Sequence, residues 1–324
     1  MSNLLWISEI TSEDIIETGV KAFTISELYN MELPIPQGFV ITTTALKKFL
    51  LHTRIDKQIS SVLETVDIDN FKTLQKKSDE IKEIIMKAEF PEMVKNDIFE
   101  AYNNLDVNEE IWRTGSKSAL DLVRVGKSLP YLAVRSSYSN NDYKKVTYLN
   151  IKGISSLITV IKKCWTNLFG FENLYYIKKN NLSVEELVLG LIVQRMINPN
   201  KSGIITLYEE YNQEIRVEAI YGMNDLLYSK TVMPNIYLIG KNDLCIKDKE
   251  IGKQDVYLTR DEFGNSVRKN LEENKQELQT LTDDEILKLA SYYKRIQEYY
   301  NKNLRLEFAI ENNKIYIIKV KENV

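Results

Sequence analysis

Ile192-Val193-Gln194-Arg195-Met196-Ile197, followed by Ser202-Gly203-Ile204-Ile205-Thr206, is where the character of this chain changes. Upstream, apolar residues recur mostly at helical spacing. Downstream they gather in short runs, Ile204 to Thr206, Ile215 to Ile220 and Ile236 to Ile239, parted by Asn, Pro and Gly turns, and these runs read as strands. Ile192 to Gln194 is itself a strand. Ahead of it, Ser183 and Glu186 form a capping box, and Ile154 to Phe169 reads as a helix with Leu157, Ile158, Ile161, Trp165 and Leu168 on one side. Tyr131 to Val134 is a short buried strand after Pro130. Residues from about 55 to 105 are helical, with Phe71, Leu74, Ile81, Ile84 and Ala88 on one face and Pro91 near the start of a helix from Met93 to Tyr102. Gly38 to Ile41 reads as a strand behind the turn Pro34-Ile35-Pro36. Towards the end, the capping box Thr282-Asp283-Asp284-Glu285 opens a helix through Ile286, Leu289, Tyr293, Ile296 and Tyr300. Leu306 to Ile310 and Ile315 to Val320 then form two strands joined by a hairpin-length turn. Helices first and sheet later predict an α+β chain of two unequal lobes. Residues 1–190 form the first, with a helical insertion at about 55–105, and 191–324 the β-rich second.

Composition removes several functions. A length of 324 residues suggests two domains at about 150 residues each. Lys and Arg total 43 against 46 Asp and Glu, for a net charge of −3, so the chain is not a dedicated nucleic-acid binder. His52 is the single histidine, which excludes any site needing two. Cys164 and Cys245 make no CxxC pair and are expected as reduced thiols of a cytoplasmic protein. No run approaches the ~18 apolar residues of a membrane span, and Met1 to Glu9 lacks the basic and apolar regions of a signal peptide.

Four strings carry a family resemblance. Gly19-Val20-Lys21-Ala22, with Glu27-Leu28 and Leu33-Pro34-Ile35-Pro36-Gln37-Gly38-Phe39-Val40-Ile41-Thr42, is the first. Ala133-Val134-Arg135-Ser136-Ser137, with Thr147-Tyr148-Leu149-Asn150-Ile151, is the second. The third is Ile192 to Ile197 with Ser202-Gly203-Ile204, and the fourth Leu306-Glu307-Phe308 with Ile315-Tyr316-Ile317-Ile318. In order and over nearly the whole chain, they resemble the N-terminal nucleotide-binding domain of phosphoenolpyruvate synthase, pyruvate phosphate dikinase and rifampicin phosphotransferase.

That resemblance implies an ATP-grasp fold whose two lobes close on ATP and Mg²⁺. It implies phosphoryl transfer to a histidine on a separate swivelling domain, or to a substrate. Lys21 and Arg135 match the phosphate-contacting cations. Such cations suit a reaction that is mostly positioning and charge neutralisation. The backbone of Gln194, Arg195, Met196 and Ile197 matches the adenine-reading hinge, and Glu307 the metal-binding glutamate. From the residues alone, Lys21 reads first as a solvated surface lysine and Arg135 as a structural ion-pair partner. Gln194 to Ile197 is equally an ordinary strand, and Glu307 a solvated carboxylate.

Departures from the pattern matter as much. The family's Gly-containing phosphate-covering loop is reduced to Tyr138 to Val146, without a glycine. Its Gln-x-Arg-Pro becomes Lys319-Val320-Lys321-Glu322, so a metal ligand becomes Lys319 and a catalytic arginine becomes Lys321. Gly-Leu-Gly-Glu is reduced to Gly222-Met223-Asn224-Asp225, and Phe-Thr-x-Asp-Pro gives way to Thr206 to Glu210. The chain stops where the phosphohistidine domain would begin. The expectation is therefore an ATP-binding module with weakened or lost phosphotransfer, Mg²⁺ in doubt, acting with a phosphohistidine-domain or other protein partner. An active phosphotransferase serving a separate chain or small substrate is the alternative.

Overall fold

The computed structural model describes residues 2–105, 129–140, 142–208 and 214–322. Asn141, Glu209 and Glu210, which belong to two of the departing strings, lie outside the described residues. The chain forms two compact units. Met1–Asn30 with Gln37–Met196 makes the first, and Met31–Pro36 with Ile197–Val324 the second.

The first unit is built on an antiparallel sheet of β1 (Leu4–Trp6), β2 (Gly38–Ile41), β3 (Leu132–Tyr138), β4 (Thr147–Ile151) and β5 (Leu189–Arg195), in the order β1-β2-β5-β3-β4. The helices are α1 (Ile15–Thr18), α2 (Val20–Asn30), α3 (Thr43–Thr53), α4 (Asp56–Glu64), α5 (Phe71–Lys87), α6 (Glu92–Asn104), α7 (Ile154–Leu168) and α8 (Phe171–Lys179). The expected helical stretch at 55–105 is α4 to α6, and Pro91 is the N-cap of α6. One large apolar core joins α3 to α8 with β2, β3 and β5, while Ala22 of α2 packs in a smaller cluster with Ile7, Ile10, Val40 and Ile192. Its centre is Trp165, fully buried between Phe49 and Phe90. Phe71 departs from expectation. It starts α5 and is 65% exposed, because the buried stripe runs through Leu74, Ser78, Ile81 and Ile85 instead. The Ser183–Glu186 capping box forms, yet opens a single 3₁₀ turn, since the next residues are drawn into β5 beside β3.

The second unit holds a six-stranded antiparallel sheet in the order β13-β12-β6-β7-β8-β9. Its strands are β6 (Lys201–Tyr208), β7 (Glu214–Tyr221), β8 (Asn235–Gly240), β9 (Ile246–Glu250), β12 (Leu304–Glu311) and β13 (Lys314–Glu322). β10 (Val256–Arg260) and β11 (Ser266–Asn270) form a separate hairpin. The short α9 (Asp225–Tyr228) precedes β8, and α10 (Asp283–Tyr300) precedes β12. The Lys201–Glu285 ion pair at 2.8 Å and the Lys249–Asp283 ion pair tie α10 to one sheet face, and the Leu281 amide just ahead of it donates to the Tyr237 hydroxyl at 3.2 Å. Along that face Leu306, Ile205, Val217 and Tyr237 lie in one cross-strand row, all fully buried. The mixed fold, helices and sheet in two units, is that of an ATP-grasp-like domain.

The cap of α10 gives a stability test. Thr282 Oγ1 accepts the Glu285 amide at 3.2 Å, and Glu285 accepts the Thr282 amide at 2.8 Å. Thr282→Ala removes one half of this exchange and should cost about 1 kcal/mol. Thermal denaturation will show a melting point lower by a few degrees.

Candidate functional site

In the first unit a helix junction and a strand are pressed together. α1 ends at Gly19, whose φ of +79° favours glycine. A Cβ there would lie 2.4 Å from the Ser137 carbonyl oxygen, so only glycine lets this junction sit on β3. The amide of Ala22, in the first turn of α2, then donates to Ser137 Oγ at 3.0 Å. That bond satisfies one of the amides that a helix start leaves over. Lys21, half-buried, is the residue before this contact, and Arg135 is two residues before Ser137 on β3. The two matched cations therefore belong to segments that touch, and the sequence alone did not show this.

Arg135 is half-buried, and its Nη1 donates to Gln194 Oε1 at 3.2 Å. The register explains the pairing. Ala133 faces Gln194 across β3 and β5, so Arg135 and Gln194 are diagonal neighbours on one sheet face. Gln194 is 4% exposed. It meets Arg135 through its side chain, whereas the family resemblance implies a role for its backbone. A guanidinium carries five donors in a planar fork, a shape that matches carboxylate and phosphate oxygens.

The four-residue hinge stretch is more constrained than expected. The Arg195 amide donates to the Gln37 carbonyl at 2.9 Å, and the Met196 amide to the Tyr131 carbonyl at 2.8 Å. Both are spent as donors.

In the second unit the sheet face turned away from α10 carries charge. Glu307 faces Lys319 and Arg305 faces Lys321 across β12 and β13. Lys319 Nζ stands 3.1 Å from Glu307 Oε1, with side chains 38% and 15% exposed. Tyr228, from α9, joins them. Burial of its hydroxyl end and then the Glu307 carboxylate push the phenol up to about 12. The Arg305 guanidinium lies over the Tyr228 ring, 5.3 Å from its centroid. Lys321 is held below the usual lysine range, first by the Lys319 charge and then by burial. The charged face continues on β7 with Arg216 and Glu218, paired at 3.0 Å.

These residues do not fit a divalent cation. A protonated lysine has no lone pair to give, and Glu307 already holds one. Among the described residues no group of three His, Cys, Asp or Glu could hold a metal. Arg305 could have been found from the sequence, since it stands two residues from Glu307 on the same strand face. Tyr228 could not, because only the fold brings α9 to β12.

Comparison with known proteins identifies the family. The profile of the family described as "Pyruvate phosphate dikinase, AMP/ATP-binding domain" matches residues 16–323. The chain belongs to this family. Among curated relatives, the probable phosphoenolpyruvate synthase of Archaeoglobus fulgidus is 32% identical over 98% of this chain and 41% of its own length. That of Methanocaldococcus jannaschii is 29% identical over 99% of this chain and 26% of its own. The phosphoenolpyruvate synthase of Aquifex aeolicus is 29% identical over 98% of this chain and 39% of its own. The chain thus spans less than half the length of these relatives. As a pyruvate phosphate dikinase-type nucleotide-binding domain, it has the Gly19–Lys21 and Arg135 segments adjoining within the first unit. His52 is an exposed residue of α3. No helix among the described residues is long and apolar enough to cross a membrane. Cys164 is buried, Cys245 is exposed, and neither is in a disulfide.

Proposed function

We propose that this domain binds an adenine nucleotide, with Lys21 and Arg135 as its phosphate-contacting cations, and that its own phosphotransfer is weakened. The observation that carries the first part is the packing of the Gly19–Ala22 junction onto Ser137, beside Arg135. Two cations on touching segments can serve one polyphosphate, as the family's nucleotide binding requires. The second part rests on the Glu307–Lys319 pair and on Lys321 standing where the family pattern has an arginine. Removal of one electrostatic stabiliser commonly lowers turnover ~10²–10³-fold. The module then acts with a partner, a separate phosphohistidine-domain protein or another chain, in the cytoplasm. An active phosphotransferase is the competing reading, and Lys21, Arg135 and Glu307 favour it.

Calorimetry and thermal shift with ATP, ADP and AMP, each with and without Mg²⁺, provide the test. Ligand at 100 times its Kd should stabilise the protein by about 2.7 kcal/mol. Arg135→Met should weaken nucleotide affinity by about 10- to 100-fold, the worth of a charged hydrogen bond, while the melting point without ligand moves little. The absence of any shift with millimolar nucleotide under every metal condition would defeat the binding reading. Robust Mg²⁺-dependent transfer by the unmodified chain would restore the active enzyme.

A further inference from the structure

We infer that the face of β12 and β13 carrying Arg305, Lys319 and Lys321 is a metal-free polyphosphate site, in which the Lys319 ammonium on Glu307 takes the place of a divalent cation. The inference rests on the nucleotide reading above and names the form of ligand this unit takes, an unchelated triphosphate.

The arrangement depends on a β-bulge. From the hairpin end, Glu311 pairs with Lys314, Ile310 with Ile315 and Phe308 with Ile317. The register then slips by one, so that Glu307 faces Lys319 rather than Ile318. Side chains alternate faces along a strand. Without the slip, Lys319 would oppose Leu306, and both lysines would point to the apolar side where α10 packs. With it, Arg305, Lys319 and Lys321 share a face with Glu307, beside the Arg216–Glu218 pair of β7. Lys319 neutralises the Glu307 carboxylate at 3.1 Å, which leaves Lys321 and Arg305 in excess. Tyr228 fixes the edge of the group, with its hydroxyl on Glu307 and its ring under Arg305.

In the group of Arg305, Glu307, Lys319 and Lys321, every charged side chain except Glu307 is a donor. Phosphate oxygens are acceptors, and a triphosphate brings several negative charges at the spacing of neighbouring side chains. Chelation by Mg²⁺ would cancel two of those charges and set a dication beside two ammoniums. Magnesium should therefore weaken binding, the reverse of what a carboxylate-lined nucleotide site does.

The experiment measures Kd for ATP, AMP and inorganic tripolyphosphate by calorimetry on the full chain, in EDTA and in excess Mg²⁺. ATP and tripolyphosphate should bind about tenfold more tightly in EDTA, whereas AMP, which lacks the outer phosphates, should be indifferent to the metal. Lys319→Gln frees Glu307 and should abolish or invert the preference for EDTA. Arg305→Gln should weaken tripolyphosphate by about tenfold and leave AMP unchanged. Melting curves without ligand identify any variant that fails to fold, and Lys321→Gln then replaces it. ATP that binds tenfold more tightly with Mg²⁺ overturns the inference and leaves the nucleotide reading standing. If neither ATP nor AMP binds, the nucleotide reading falls. In that case, tripolyphosphate binding that is lost in Arg305→Gln still supports the site, and no tripolyphosphate binding overturns it as well.

Discussion

Trp165→Ala should lower stability by about 3–5 kcal/mol, which is large for any single substitution. The indole is fully buried, lies 5.4 Å from the Phe90 ring with planes 2° apart, and 4.9 Å from Phe49. These rings come from α3, α7 and the segment before α6, so the cavity left by alanine opens where three pieces of chain meet. Phe49 and Trp165 are fixed on helices, which limits how far the site can close over the cavity. Thermal denaturation should show the melting point down by roughly 10 °C. Trp165→Phe separates the ring contact from the indole N–H. Trp165 Nε1 has no hydrogen-bond partner among the described residues, and a buried orphan donor costs about 1–3 kcal/mol. Phenylalanine removes that donor while it keeps most of the ring contact, so its cost should be far smaller than alanine's. Equal losses for both variants would show that ring packing is not what Trp165 contributes.

Gly190→Ala should cost about 3 kcal/mol and also weaken nucleotide binding. A Cβ on Gly190 would lie 2.1 Å from the Thr18 carbonyl oxygen, a distance no real contact permits. The obstacle is backbone, and it is held firmly. Glu17 accepts the Thr44 amide at 2.8 Å and the Thr44 hydroxyl at 2.9 Å. The Thr43 hydroxyl donates to the Glu17 carbonyl at 3.1 Å and accepts the Leu189 amide at 3.0 Å. Relief must come from moving residues 17–22 outwards, and that carries Lys21 off β3. Melting should report the stability loss, and calorimetry on the folded fraction an affinity loss for ATP. A variant that melts normally with unchanged affinity would mean that Lys21 is not positioned by this junction.

Much of the first unit was legible in the sequence because its signals are local. The stripe of α7 through Leu157, Ile161, Trp165 and Leu168 is a spacing, and so is the short apolar run of β3. Phe71 shows where this fails. Its spacing fits the helix face, yet α5 begins there, and a first-turn residue has core on only one side. The departures at Tyr138 to Val146 and at Lys319 to Glu322 were equally plain, since they are matters of residue type.

By itself the sequence determined the kinds of element, their order and the family. It also determined that one histidine and two separate cysteines exclude whole classes of site. It placed Lys319 and Lys321 on a common strand face, because alternation is a property of one strand. Only the tertiary structure decided which face that was. The slip between Glu307 and Phe308 depends on how two strands pair, and its trace in the sequence is faint, a doubled Ile317-Ile318 where alternation changes phase. Likewise Arg135 meets Gln194, and Tyr228 meets Glu307, through contacts between residues distant in the chain. Spacing encodes what a segment does alone; the partner of a charge is fixed by register and packing, which exist only once the chain has folded.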